Sequence, residues 1–101
     1  MLAVVWAPGQ STPAHDHLTW CVVGVYEGVE RETVYRTVDG RLVESAVTEH
    51  RRGDVVCYGV DAADIHRVEN ATERLAISIH VYGTNIAKLG SSIRRRYPRE
   101  A

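Results

Sequence analysis

The chain has 101 residues, of which 45% are hydrophobic and 25% are charged, and its formal net charge is −1. This length suits one domain with a single core, and the composition excludes a disordered or low-complexity chain. The small net charge excludes electrostatic capture of nucleic acid by the whole surface.

The sequence also carries few signs of export or membrane insertion. No apolar run approaches the roughly 20 residues that a membrane-spanning helix needs, so we expect no membrane association. The apolar opening has no basic segment and stops at Pro8-Gly9, so we expect no signal peptide. Two cysteines make no disulfide framework. We therefore expect a cytoplasmic protein.

A sequence period of two, which is typical of β-strands, dominates the chain. In chain order, the predicted strands cover residues 2–6, 17–26, 29–38, 41–49, 55–58, 65–68 and 74–82. Asp39-Gly40 predicts a tight hairpin between the third and fourth of them. This many short strands, with turn residues every ten or so positions, predict an all-β antiparallel sandwich or barrel.

The last part of the chain, residues 83–101, is interpreted as a C-terminal extension of one domain over residues 1–101. Within it, residues 85–96 have a weak helical pattern that Gly90-Ser91-Ser92 interrupts. The extension is also basic, with Lys and Arg well in excess of acids. We interpret it as a solvated terminus rather than an interaction arm.

The histidines are the first residues that suggest chemistry. His15 and His17 flank Asp16, and residues two apart on a strand point to the same face. Two imidazoles spaced by roughly 6–7 Å along a strand can bind one metal ion. The alternative is a pair of surface histidines beside a turn. His50, which precedes Arg51-Arg52 and a turn, is predicted to be exposed to solvent.

Two spaced motifs strengthen the metal hypothesis. The first places a glycine before a His-x-His pair and a second glycine after a cysteine, and the second is a histidine followed four positions later by asparagine. The residues are Gly9, His15, His17, Cys21 and Gly28 in the first motif, and His66 and Asn70 in the second. These motifs resemble those of the cupin superfamily, and the resemblance implies a small jelly-roll barrel with a metal in its mouth.

Cys21 stands where most cupins have a glutamate ligand. The resemblance therefore implies three nitrogen ligands, from His15, His17 and His66. By ligand type, such a set suits zinc, iron, copper or nickel. Three ligands leave open positions for substrate and oxygen, as a catalytic site needs.

The last long strand adds a row of polar side chains. Ser78, His80 and Tyr82 share one face, and Ile79 and Val81 share the other. The polar row is either the solvent face of an edge strand or a hydrogen-bonded row that points into the barrel. In the second case, Ser78 and His80 orient the Tyr82 hydroxyl and tune its pKa.

Together the histidine motif, Cys21, Glu32-Thr33 and the Ser-x-His-x-Tyr row resemble the thiol dioxygenases, such as cysteine dioxygenase and 3-mercaptopropionate dioxygenase. This resemblance implies ferrous iron bound by His15, His17 and His66. It implies an enzyme that adds O₂ to a small thiol to give a sulfinate, with Ser78, His80 and Tyr82 as catalytic residues. In some members a cysteine at this position forms a thioether with the tyrosine, which here would join Cys21 to Tyr82.

Two other functions compete with this hypothesis. One is a metal-binding cupin module without catalysis, and the other is a different cupin dioxygenase or an isomerase. Family members are about twice this length, and an upstream segment holds the substrate carboxylate. No residue here matches that group, so we expect weak substrate binding. We also expect a homodimer, because an apolar sheet surface would lack its cover.

Three remaining residues are assigned to packing. Cys57 lies in an apolar strand and is predicted to be a small buried hydrophobe. Trp6 and Trp20 are interpreted as core or rim packing.

Overall fold

The computed structural model describes residues 1–17, 20–59, 65–83 and 93–97, and only the backbone is described for His17 and for residues 93–97. Every regular element in these ranges is a β-strand, so the all-β prediction is confirmed. None of the described elements is a helix long and apolar enough to cross a membrane. The strands are β1 (Leu2–Trp6), β2 (Ala14–His17), β3 (Cys21–Glu27), β4 (Val29–Val38), β5 (Arg41–Arg51), β6 (Val55–Tyr58), β7 (Ile65–Glu69), β8 (Ala76–Tyr82) and β9 (Ile93–Tyr97).

These strands form two antiparallel sheets. The first has the order β1-β8-β3-β6, and the second has the order β5-β4-β7-β2-β9. The sheets face each other across the interior, where the ring of Tyr58 from the first meets the ring of His66 from the second at a centroid distance of 4.4 Å. Because the chain passes repeatedly from one sheet to the other, residues far apart in sequence meet between them, as in a jelly roll.

Two turns show why particular glycines are needed. Asp39 and Gly40 join β4 to β5 with φ values of 51° and 77°, so both adopt the left-handed conformation of a type I′ hairpin. This confirms the predicted hairpin. At the passage from β3 to β4, Gly28 has a φ of +79°, and a Cβ atom there would lie 2.7 Å from the Leu75 carbonyl oxygen. A side chain at this position would therefore clash with the backbone at the start of β8 and strain the left-handed turn.

The prediction of one strand over residues 17–26 is wrong. β2 ends at His17 in the second sheet, and β3 begins at Cys21 in the first. Of the two tryptophans predicted to pack in the core or at its rim, Trp6 is buried, and Trp20, which precedes β3, is 51% exposed. The apolar sequence pattern continues from β2 into β3, so alternation alone does not reveal that the two strands lie in different sheets.

The weak helical pattern over residues 85–96 does not correspond to a helix in the part that the structure describes. Residues 93–97 form β9, which pairs with β2. The register between the two strands skips Arg94, which places the irregularity in β9 rather than in β2. Residues 85–92 of the pattern lie outside the described residues. The weak local propensity of this segment is overridden by pairing with β2.

The interior is rich in polar side chains. Among the described residues, the buried apolar ones include Ala14, Val25, Ile65 and Ala76. The buried polar or charged ones are His15, Asp16, Glu30, Glu32, Thr33, His66, Asn70 and Ser78. Buried polar groups are costly unless they are hydrogen-bonded, and such clusters are typical of functional sites. Asn70 has a structural role, because its amide donates to the carbonyls of Trp6 and Arg74.

The outer face of the first sheet, by contrast, is apolar. Register and alternation place on it Ala3, Val5, Val22, Val55, Cys57, Ile77, Ile79 and Val81. Val5 is 58% exposed and Val55 is 66% exposed. The homodimer stays a prediction, and this apolar face is the surface through which two chains would pair. We expect light scattering to give the mass of two chains, and the mass of one chain at micromolar concentration would contradict the prediction.

Candidate metal centre and its hydrogen-bond networks

Two of the predicted ligands, His15 and His66, lie side by side in the second sheet. They are directly opposite each other on β2 and β7. Their ring centroids are 4.7 Å apart, and both side chains are buried. Strand pairing therefore brings the two sequence motifs together at one point inside the barrel.

Hydrogen bonds fix which nitrogen each of these rings presents. His15 Nδ1 lies 2.7 Å from the Pro13 carbonyl oxygen, and His66 Nδ1 lies 2.8 Å from Glu32 Oε2. Because a carbonyl or a carboxylate only accepts hydrogen bonds, each Nδ1 carries the proton and donates it. In a neutral ring the lone pair is then on Nε2, which is the form in which an oriented histidine binds a metal.

The Glu32 carboxylate connects His66 to a second histidine. Its other oxygen, Oε1, accepts a hydrogen bond from His50 Nε2 at 2.9 Å. Burial raises the pKa of Glu32, but hydrogen bonds from His66, His50 and Tyr58 outweigh burial and lower the pKa to about 2. Glu32 is therefore an ionised acceptor at neutral pH. The sequence analysis gave it no role, although two acids two residues apart on β4, Glu30 and Glu32, are a sign of a polar inner face.

The prediction that His50 is exposed is wrong. Its side chain is only 16% exposed, because β5 pairs with β4 so that His50 stands opposite Glu30 and beside Glu32. Tyr58, which the sequence analysis did not single out, lies in the same cluster. Burial and the nearby Glu32 raise the pKa of the Tyr58 hydroxyl above its ordinary range, so it stays protonated and donates to the carboxylate.

His17 is placed by its backbone alone. It ends β2, two residues after His15, and pairs with Ile93 of β9. Among the side chains that the structure describes, no three potential metal ligands come together. His17 as the third ligand therefore stays a prediction, with the alternation of β2 in its favour.

The polar row of β8 lies on the inner face of the first sheet. Ser78 is fully buried, and its Oγ lies 2.8 Å from His80 Nε2. His80 Nδ1 lies 3.1 Å from the Tyr82 hydroxyl, and Trp6 Nε1 donates to Ser78 Oγ at 3.1 Å. Burial and the nearby His66 lower the pKa of His80 to about 4, so its imidazole is neutral at neutral pH.

Cys21 links this row to the histidine pair. In the first sheet, Cys21 lies directly between Tyr58 and Tyr82, and the Tyr58 ring packs on His66. Cys21 is 2% exposed and interacts with the Tyr82 hydroxyl. Burial raises the pKa of the Cys21 thiol to about 11, and burial together with Cys21 raises the pKa of Tyr82 to about 12.

The second cysteine, Cys57, is exposed, so the prediction that it is buried is wrong. β6 is an edge strand of the first sheet, and its side chains alternate. Tyr58 points into the barrel, so Cys57 points to the outer face.

This contrast between the two thiols predicts their alkylation. At pH 8, iodoacetamide should modify Cys57 rapidly and Cys21 slowly, because a thiol with a pKa of about 11 is roughly 0.1% thiolate at that pH and is also covered. Peptide mass spectrometry of the time course checks this, with Cys57 as the internal control. Equal rates at the two cysteines would contradict the buried position of Cys21.

Glu30 completes the buried network. It is 3% exposed, and no described atom is a hydrogen-bond partner of its Oε1. Burial raises the pKa of Glu30, while a hydrogen bond from Ser78 and the nearby His50 partly offset the increase. The Ser78–His80–Tyr82 row therefore begins at a buried carboxyl group that the sequence analysis did not identify.

Two facing antiparallel sheets with paired histidines between them define a cupin barrel. The chain belongs to the cysteine dioxygenase type I family, whose profile matches residues 1–91. This confirms the thiol dioxygenase resemblance drawn from the sequence motifs.

Solved structures agree with the fold. The chain is similar to a Cupin 2 conserved barrel domain protein from Salinispora arenicola CNS-205, with 25% identity and a TM-score of 0.60, over 79% of this chain and 58% of that one. The Drosophila melanogaster CENP-C cupin domain matches with 13% identity and a TM-score of 0.62, over 80% of this chain and 58% of that one. A recombinant oxalate oxidase in complex with glycolate matches with 20% identity and a TM-score of 0.61, over 81% of this chain and 40% of that one.

The chain thus spans less than two thirds of each of these structures. The similarity confirms the predicted cupin jelly roll, and the two matches of lower identity show the fold alone.

Proposed function

We propose that this chain is a non-haem iron thiol dioxygenase that oxidises a small thiol, cysteine or 3-mercaptopropionate, to its sulfinate. One observation carries the proposal. In a member of the cysteine dioxygenase family, two buried histidines with Nδ1–H donated lie side by side, and Tyr58 connects them to a cysteine that contacts the end of a Ser-His-Tyr row.

The donor set fits ferrous iron. As ligands, His15 and His66 would each bind through Nε2, because their Nδ1–H groups donate to the Pro13 carbonyl and to Glu32, and His17 would be the third ligand from the same strand as His15. Three neutral nitrogens suit divalent first-row metals and leave open positions. When bound, ferrous iron would supply the redox chemistry by which RSH and O₂ combine to give RSO₂H.

The chain's own residues would position the reactants. Glu32 holds the His66 ring in place and is itself fixed by His50. The Tyr82 hydroxyl would hydrogen-bond to the thiol substrate or to oxygen at the mouth. His80 and Ser78 fix the position of that hydroxyl from behind. Holding thiol and oxygen side by side at one centre would provide much of the acceleration.

Oxygen consumption after anaerobic loading with ferrous iron tests the proposal. Cysteine, 3-mercaptopropionate and cysteamine are compared, with serine and 3-hydroxypropionate as matched controls that lack the thiol. We expect uptake of one O₂ per thiol and a product heavier than the thiol by two oxygen atoms. The zinc-loaded chain should consume none.

The outcomes separate the competing functions. Tight iron binding without oxygen uptake on any thiol would overturn the enzyme and favour a metal-binding cupin module. Oxygen uptake that leaves the thiol unoxidised would favour a different cupin oxidation chemistry. Uptake that favours one thiol would identify the substrate.

The contact between Cys21 and Tyr82 leads to a further prediction. During turnover with O₂ as oxidant, a thioether can form between Cys21 Sγ and the Tyr82 ring, with loss of the thiol hydrogen and one ring hydrogen. The intact mass should then fall by two hydrogens, and Cys21 should resist alkylation even after unfolding. Tyr82→Phe is the control, since phenylalanine cannot form this bond. An unchanged mass after prolonged turnover would contradict the link.

A further inference from the structure

The buried Glu30 carboxyl group lies at the inner end of the hydrogen-bonded row Ser78–His80–Tyr82. Glu30 on β4 of the second sheet meets Ser78 on β8 of the first, and the path continues through His80 to Tyr82 and Cys21. Both Glu30 and Ser78 are buried, so bulk water does not decide how the protons on this path are arranged. Their arrangement follows from counting donors and acceptors.

The count starts at Ser78, whose hydroxyl has one proton and two lone pairs. Trp6 Nε1–H, which can only donate, occupies one of the lone pairs. The single Ser78 proton can then go either to Glu30 or to His80 Nε2. The imidazole of His80 is neutral, so one of its nitrogens donates and the other accepts.

An ionised Glu30 permits one direction. The carboxylate accepts the Ser78 proton, so Ser78 Oγ accepts from His80 Nε2–H. His80 Nδ1 is then an acceptor, and the Tyr82 hydroxyl donates to it. In this state Tyr82 presents only lone pairs to Cys21 and to the mouth of the barrel.

A residue at position 30 that accepts no hydrogen bond enforces the opposite direction. The Ser78 proton then has only His80 Nε2 to go to, and His80 carries its own proton on Nδ1 and donates it to the Tyr82 oxygen. The Tyr82 hydroxyl is then free to donate towards the mouth. Protonation of the carboxyl group permits the same direction, since Glu30 can then donate to Ser78 Oγ and each proton on the path moves by one position.

We propose that Glu30 is a positioning residue that sets the direction of the Ser78–His80–Tyr82 hydrogen bonds, and thereby whether Tyr82 accepts or donates a hydrogen bond at the barrel mouth. The consequence for catalysis rests on the proposed dioxygenase function, whereas the hydrogen-bond direction does not.

Nitrogen-15 NMR of the histidine side chains tests this proposal directly. The full chain is measured at pH 8, with and without bound zinc, which is diamagnetic, and the His80 signals are assigned from their loss in His80→Asn. The wild type should carry the His80 proton on Nε2. Glu30→Leu, which fills a buried position with an apolar side chain, should move that proton to Nδ1. Glu44→Leu, at an exposed position on β5, is the matched control and should leave His80 as in the wild type.

Two results would overturn the proposal. One is a wild-type His80 with its proton on Nδ1, which requires no variant and so stands even if Glu30→Leu fails to fold. The other is a folded Glu30→Leu protein whose His80 proton stays on Nε2. Neither NMR result depends on oxygen consumption. If the chain oxidises thiols but His80 carries its proton on Nδ1, only the Glu30 proposal fails. If His80 carries its proton on Nε2 but the chain consumes no oxygen, only the proposed function fails.

Discussion

Replacing His66 with alanine is expected to abolish iron binding. His66 supplies one of the two described Nε2 donors, and its loss leaves too few nitrogen ligands to hold ferrous iron. Removing a residue that only supports a ligand typically costs 10–100-fold in metal affinity, so losing a ligand should cost at least roughly 100-fold. Iron content after dialysis against excess ferrous iron, measured by mass spectrometry of the metal, checks this.

Alanine at position 66 also leaves the buried Glu32 carboxylate without one of its donors. That loss should destabilise the fold by about 1–3 kcal/mol, so low iron content could arise from unfolding. His66→Gln separates the two effects, because the glutamine amide can still donate to Glu32 but supplies no imidazole nitrogen. We expect it to fold and still lose iron.

Two further variants test how strongly each residue contributes to iron affinity. Glu32→Gln keeps both histidines but removes the charge that orients His66, so its affinity should fall by roughly 10–100-fold. Glu44→Leu, on the exposed part of β5, should bind iron like the wild type. A folded His66→Gln protein with full iron content would remove His66 from the metal site.

Much of the fold follows from local sequence patterns. β4 and β6 have the predicted bounds, because alternation over Val29–Val38 and a β-branched, aromatic run over Val55–Tyr58 are unambiguous strand signals. The left-handed Asp39-Gly40 turn is equally local. What the patterns could not reveal is that β2 and β3 belong to different sheets, since the sheet of each strand depends on pairing with distant strands.

The site divides in the same way. The motifs around His15 and His66 were visible because their residue types and spacing are distinctive, and strand pairing then places them together. Glu30 and Tyr58 were missed, and Glu32 was given no role, because alternation says that two faces differ but not which one is inside. On β4 the inner face carries Glu30 and Glu32. These acids are tolerated in the interior because His50, His66 and Ser78, which come from other strands, interact with them.

His50 and Cys57 are two residues whose burial was predicted wrongly from the sequence. A histidine beside two arginines suggests an exposed turn, and a cysteine among valines suggests a core. Both interpretations failed because register decides burial. His50 is aligned with Glu30 across the β4–β5 ladder, and Cys57 lies on the outward face of an edge strand.

Replacing Tyr82 with phenylalanine is expected to lower turnover by roughly 100-fold while iron content stays that of the wild type. The substitution removes one hydroxyl, which lies 3.1 Å from His80 Nδ1 and interacts with Cys21, and it leaves the ring in place. None of the three proposed iron ligands is altered. Losing one preorganised hydrogen bond at a reacting centre typically costs 10²–10³ in kcat.

Tyr26→Phe is the matched control, because Tyr26 is 66% exposed and lies away from the interior. Its oxygen consumption and iron content should both equal those of the wild type. The two variants differ from the wild type by the same single oxygen atom, so any difference between them reflects position alone. If Tyr82→Phe and Tyr26→Phe consume oxygen at the same rate with the same thiol, Tyr82 has no part in the mechanism, and the buried row behind it serves only to satisfy the polar interior of the barrel.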